Sequence, residues 1–124
     1  MRKVFLILTT LFSLSIGAQN ITWQNVNLNV PFENTQAVFN LIDGFYSNID
    51  IPEGIRVSLW SIEYKGSSEK ATHVLNFAGT KESLVEFESR KLSSEWDAYV
   101  SRLNSLTQRD GYGVTAGVTL VRYN

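Results

Sequence analysis

The order in which hydrophobic periodicity switches between two residues and 3.6 residues is the strongest constraint this chain carries. From Thr22 to Val30 the residues alternate, with Val26, Leu28 and Val30 on one side and Trp23, Asn25, Asn27 and Asn29 on the other. That is the pattern of a half-buried strand, and Pro31 closes it. From Asn34 the spacing changes: Val38, Leu41, Ile42 and Phe45 fall at i, i+3, i+4 and i+7, and Ala37 and Ile49 extend the stripe. An amphipathic helix capped by Asn34 or Thr35 is expected there. Asp50 to Gly54 is turn-rich, and Arg56 to Lys65 follows as a second strand of β-branched and aromatic residues. Gly66-Ser67-Ser68-Glu69 separates it from a third strand, Lys70 to Ala78, and so short a linker implies an antiparallel hairpin.

Two helical segments come next. In the first, Leu84, Val85, Phe87 and Leu92 supply the apolar positions while Glu82, Glu86 and Glu88 face water. In the second, Ser93 or Ser94 caps a stripe of Trp96, Tyr99, Val100, Leu103 and Leu106. Arg109-Asp110-Gly111 is expected to end it. A last strand then runs from about Tyr112 to Tyr123, with Gly117 a bulge or a point of close backbone approach. The resulting order, β-α-β-β-αα-β, predicts an α+β fold. It is a ferredoxin-like βαββαβ sandwich, a four-stranded antiparallel sheet with its helices brought to one face by right-handed crossovers. The second strand is apolar on both faces, with Val57 and Leu59 on one and Trp60, Ile62 and Tyr64 on the other. Such a strand implies a second layer beyond the chain's own helices, most simply another copy of the chain.

The N-terminus reads as a separate unit. Arg2 and Lys3 precede an apolar stretch from Val4 to Leu14, and Ser15-Ile16-Gly17-Ala18 offers small residues to a signal peptidase. Cleavage is expected after Ala18, or after Gly17, leaving 19–124 as a single domain. The apolar run is shorter than the ~20 residues that span a bilayer, so residues 1–18 read as a signal peptide and not as an anchor. The expected location is a periplasm or the outside of the cell. Losing Arg2 and Lys3 leaves nine basic residues against twelve acidic ones, a formal charge of −3. A mildly acidic chain without a basic cluster is not built for nucleic acid, nor for an anionic membrane. Cysteine is absent, so the exported domain must hold together by burial alone.

The run Thr72 to Phe77, then a helix, then Ser93-Ser94-Glu95-Trp96-Asp97-Ala98-Tyr99 resembles the second half of the dimeric α+β barrel proteins. That ferredoxin-like superfamily includes NIPSNAP-type domains, EthD-like domains and antibiotic-biosynthesis monooxygenases. Ser93, Ser94, Trp96 and Tyr99 stand where those families carry a serine, a tryptophan and an aromatic residue. The likeness covers the mature chain in element order but only Ala71 to Leu106 in residue pattern. It implies a homodimeric α+β barrel. Members range from cofactor-free oxygenases, isomerases and haem-degrading enzymes to domains without known activity, so no reaction is implied.

Candidate chemistry is sparse. His73 is the only histidine. It is either a general base or haem ligand facing a cavity, or a hydrogen-bonded histidine at the edge of a core beside Ala71, Leu75 and Phe77. With one histidine and no cysteine a metal site would need carboxylates, and Glu82, Glu86 and Glu88 have the spacing of a solvated helix face; no metal or cofactor is expected. No Gly-x-Ser-x-Gly elbow or phosphate loop is present. Trp23, Asn25, Asn27 and Asn29 can line a polar ligand pocket or a wet sheet face. Trp60 and Tyr64 join the pocket if they point the same way. Trp96 reads as core, and Asn20-Ile21-Thr22 as a chance glycosylation sequon.

These features lead to an exported homodimer that binds a small hydrophobic or amphipathic ligand, or serves as an interaction module. The alternative is a cofactor-free monooxygenase or isomerase with His73 as general base and Asn27 or Tyr64 orienting a carbonyl. A third reading is a surface protein that pairs through its sheet edges.

Overall fold

The computed structural model describes residues 20–91 and 93–123. The expected signal peptide, residues 1–18, and Leu92 lie outside the described residues. Strand β1 (Thr22–Asn29) leads through a 3-10 turn (Phe32–Asn34) into helix α1 (Thr35–Asn48). Strands β2 (Arg56–Ser61) and β3 (His73–Gly79), helices α2 (Lys81–Ser89) and α3 (Ser94–Leu106), and strand β4 (Gln108–Val118) follow. The strands pair antiparallel in the order β2-β3-β1-β4. With the helices on one face, this is the ferredoxin-like βαββαβ sandwich.

Register explains which side chains meet the helices. Val26 pairs with Leu75 and Val114, Gln24 with Phe77 and Ala116, while Val57 and Leu59 pair with Phe77 and Leu75. Because side chains alternate along a strand, these residues share one face. On it Leu28, Leu75 and Phe77 pack with Val38, Ile42 and Tyr46 of α1, Phe87 of α2, and Tyr99, Leu103 and Leu106 of α3. Ala37 is exposed. The buried line of α1 runs Val38, Ile42, Tyr46, four residues apart, with Leu41, Phe45 and Ile49 beside it.

Caps set the helix starts. Thr80 Oγ1 accepts from the Ser83 N–H at 3.1 Å, and Ser93 Oγ from the Trp96 N–H at 3.1 Å. Each satisfies one of the amides a helix leaves free at its first turn. Asn34 occupies the cap position of α1 without capping it. Its amide donates to the Leu106 carbonyl at 3.1 Å, tying the start of α1 to the end of α3.

Several boundaries differ from expectation. β2 stops at Ser61 and β3 begins at His73, so the hairpin connection is longer than Gly66–Glu69, though the Ile62 N–H still reaches the Thr72 carbonyl at 2.8 Å. Arg109-Asp110-Gly111 does not end α3 but belongs to β4. The pairing absorbs these residues: Asn27 faces Gly113 and Asn29 faces Gln108, a step of two residues on β1 against five on β4. Gly111 makes this possible, at φ +94° and so close to Lys70 that a Cβ would lie 2.6 Å from that residue's Cβ. Gly117 pairs regularly with Trp23 and is the close approach, since a Cβ there would sit 2.6 Å from the indole.

Candidate functional site

Helices α1 and α3 do not close completely onto the sheet. Phe45 of α1 stacks on Tyr99 of α3 with centroids 4.1 Å apart and planes within 10°. Tyr46 meets Tyr99 and Phe77 edge-on at 5.7 and 5.8 Å. Below this aromatic layer a cavity of about 460 Å³ lies between α3 and the sheet. Its wall includes Gln24, Val26, Leu75, Phe77 and Tyr112 from the strands, and Tyr46, Lys91, Trp96, Tyr99 and Leu103 from the helical side. Glu88, Asp97 and Asn104 also line it, so an apolar and aromatic floor meets a mixed polar rim, and the volume lies in the range of small-molecule sites.

Two hydroxyls buried beside this wall lack partners. The Tyr46 and Tyr99 hydroxyls are both buried, and neither has a hydrogen-bond partner among the described residues. The two hydroxyls lie near enough to influence each other's ionisation but miss hydrogen-bond geometry. Desolvation pushes the Tyr99 phenol up to about 12. It raises Tyr46 further, with the nearby Tyr99 adding to the rise. Both phenols therefore remain protonated donors at any physiological pH.

Lys91, just past α2, contributes the charge. Its side chain is 14% exposed and pairs with Glu88 at 2.6 Å. The Nζ stands 4.8 Å from the Phe77 ring centroid, 4.9 Å from Trp96 and 5.3 Å from Phe87, distances at which aromatic faces attract a cation. Arg90 turns the other way, to Asp50 and Glu86 on the surface. Lys91 and Trp96 also line a second groove of about 330 Å³ bounded by Phe45, Asn48 and Ser93.

The opposite face of the sheet carries the asparagines. Register aligns Ser58, Asn76, Asn25 and Thr115 in one row across all four strands, and Asn76 Nδ2 donates to Asn25 Oδ1 at 2.7 Å. Asn76 is only 7% exposed. Beside this row run Trp60, Val74, Asn27 and Gly113, and on its other side Arg56, Ala78, Trp23 and Gly117. Trp60 therefore points the same way as Trp23, Asn25 and Asn27, and is 50% exposed. Asn29 instead donates to the Asp110 carbonyl at 2.7 Å within the irregular part of β4. Tyr64 lies beyond β2 and is 97% exposed.

His73 pairs with Leu28 and Ser61, which places it on the helix-facing side with Leu75, the side opposite Asn27. Its Nδ1 lies 2.8 Å from Thr72 Oγ1. Partial burial lowers its pKa, with Glu63 pulling the other way. It is not among the residues that line the inner cavity. Among the described residues, no cluster of three or more His, Cys, Asp or Glu side chains is placed to hold a metal ion, and no helix is long and apolar enough to cross a membrane.

No family model matches the sequence, and no curated protein matches it. The fold has solved relatives. A conserved protein from Methanosarcina mazei Go1 superposes with a TM-score of 0.58 at 11% identity, covering 79% of this chain and 91% of that one. A NIPSNAP family protein from Agrobacterium tumefaciens gives 0.56 at 12% identity over 82% and 92%. A candidate antibiotic-biosynthesis monooxygenase from Nitrosomonas europaea gives 0.54 at 12% identity over 82% and 90%. At such identities the likeness is one of fold alone.

Tyr46, Gln24 and Lys91 are among the cavity residues that periodicity alone did not single out. Tyr46 continues the Val38–Ile42 line at i+4, a signal that was available. Gln24 and Lys91 carried none, because one depends on strand register and the other on where a chain turn after α2 sends its side chain.

Proposed function

We propose that this chain is an exported small-molecule-binding protein that works as a homodimer. The observation that carries the reading is the cavity of about 460 Å³ between α3 and the sheet, lined by Tyr46, Phe77, Trp96, Tyr99 and Lys91, with two tyrosine hydroxyls buried beside it without hydrogen-bond partners. Buried polar groups are ordinarily satisfied, so the two orphan hydroxyls mark the packing behind this wall as incomplete. The fold likeness provides the frame and not the activity.

Export is supported by the charged, apolar and small-residue sequence of residues 1–18. Pairing is supported by the uncovered sheet face: a half-exposed tryptophan beside a hydrogen-bonded amide row is a surface that a second sheet can cover. Native mass spectrometry of protein purified from its source tests the whole reading. The expected species is a dimer beginning at Gln19 that retains a small molecule, and Trp60→Glu is expected to give a folded monomer. A ligand-free monomer from the wild type, with residues 1–18 still attached, would overturn it.

A further inference from the structure

Arg90 and Lys91 are matched by carboxylates, Arg90 by Asp50 and Glu86 and Lys91 by Glu88. Arg56 and Arg122 have no ion-pair partner among the described residues, and they share one hollow of about 390 Å³. Strand β4 forms one edge of the sheet and β2 the other. Past β4 the Thr119 N–H bonds the Ile21 carbonyl at 2.8 Å, and the chain then brings Arg122 across the end of the sheet to the wall that holds Arg56. Ile21, Ile55 and Ala78 give that wall its apolar part. Asn20 and Thr80 add neutral polar groups, the Thr80 hydroxyl being already taken up in capping α2. Among the described residues no carboxylate lines the hollow; Glu53 and Glu82, the acidic residues nearest to it in sequence, stand outside the wall, as does Lys81.

Two guanidinium groups bordering one hollow repel each other, and an anion between them replaces that repulsion by attraction to both. Each guanidinium donates in a planar fork that fits two oxygens of a carboxylate or a phosphate. A carboxylate, with one charge and two oxygens, occupies a single fork. A phosphate monoester carries about −1.5 to −2 charge and three acceptor oxygens, enough for two. We infer that this hollow is a binding site for a small phosphate monoester: Arg56 and Arg122 take the phosphate oxygens, and the organic body lies against Ile21, Ile55 and Ala78. None of these residues lines the cavity under α3, so the two sites stand or fall separately.

Isothermal titration calorimetry with n-butyl phosphate and pentanoate, which share a butyl chain, tests it. The wild-type protein is expected to bind the phosphate at least about tenfold more tightly, the contribution of one further hydrogen bond to a charged group. Arg56→Gln and Arg122→Gln are each expected to weaken phosphate binding at least about tenfold. Arg109→Gln removes an arginine outside the hollow and is expected to leave the affinity within about twofold. All three side chains are exposed, so the variants are expected to fold, which circular dichroism checks. Equal affinity for the two probes, phosphate binding that survives either substitution in the hollow, or an equal loss in Arg109→Gln, the mark of attraction by overall charge, overturns the site. Binding of neither probe overturns it as well, and each of these results leaves the cavity under α3 untouched.

Discussion

Replacing Tyr46 by Phe tests the observation that an unpaired hydroxyl is buried beside the cavity. The substitution keeps the ring and its edge contacts with Phe45, Phe77 and Tyr99, and it removes one buried oxygen without a partner. Leaving such a group buried costs about 1–3 kcal/mol. The lost dispersion is a few contacts at ~0.1–0.2 kcal/mol each. The ligand-free Tyr46→Phe protein is therefore expected to be more stable by about 1 kcal/mol, which raises Tm by roughly 4–8 °C in a domain near 100 residues. Urea unfolding with an unchanged slope, together with calorimetry, measures this. The alkaline limb supplies a second readout. An unfolded tyrosine ionises near 10.0, whereas Tyr99 holds its proton to about 12 and Tyr46 beyond that. Above pH 10 the native state therefore binds more protons than the unfolded one, and stability falls as pH rises; this loss should shrink in the Phe variants. A destabilisation of about 1 kcal/mol or more on removing the hydroxyl, the usual cost of breaking a made hydrogen bond, would refute the reasoning.

Two further outcomes follow from particular residues. His73 is the only histidine, so its ring proton is a unique NMR signal. Burial holds its pKa below 6.5; the unfolded chain then takes up the proton first as pH falls, and stability is lost below about pH 6.5. A midpoint above 6.5 would mean that Glu63 outweighs desolvation. Gly111→Ala should cost about 1–3 kcal/mol, because it forces a side chain into the left-handed region and against Lys70. A change under about 0.5 kcal/mol, the range of ordinary surface substitutions, would show that the 109–112 segment shifts freely.

Much of the fold was legible because burial imposes periodicity. Val26 and Leu28 against Leu75 and Phe77 marked the helix-facing side of the sheet, and Trp96, Tyr99 and Leu103 marked the buried side of α3. Strand ends were less legible. Gln108 to Gly111 has turn-like composition, yet an edge strand tolerates the extra residues as a local irregularity. The Gly66–Glu69 turn suggested a tighter hairpin than the one that forms. For the site, the shared facing of Trp23, Asn25, Asn27 and Trp60 depended on cross-strand register. The cavity depended on how far α3 stands off the sheet. Neither is local, so Lys91 looked like any surface lysine and Tyr46 like a neighbour of Phe45.

The place of β1 in the sheet has a kinetic consequence. It is the first strand made, yet it is central, and its partners arrive late: Asn25 bonds Asn76, 51 residues on, and Asn29 bonds Asp110, 81 residues on. Neither edge of β1 can be paired until most of the chain exists, and contacts of such long sequence separation form slowly. A chain leaving the ribosome is thus kept from assembling its sheet early. That delay suits a polypeptide proposed to be threaded through a secretion channel as an extended strand, with the ligand cavity taking shape only on the far side.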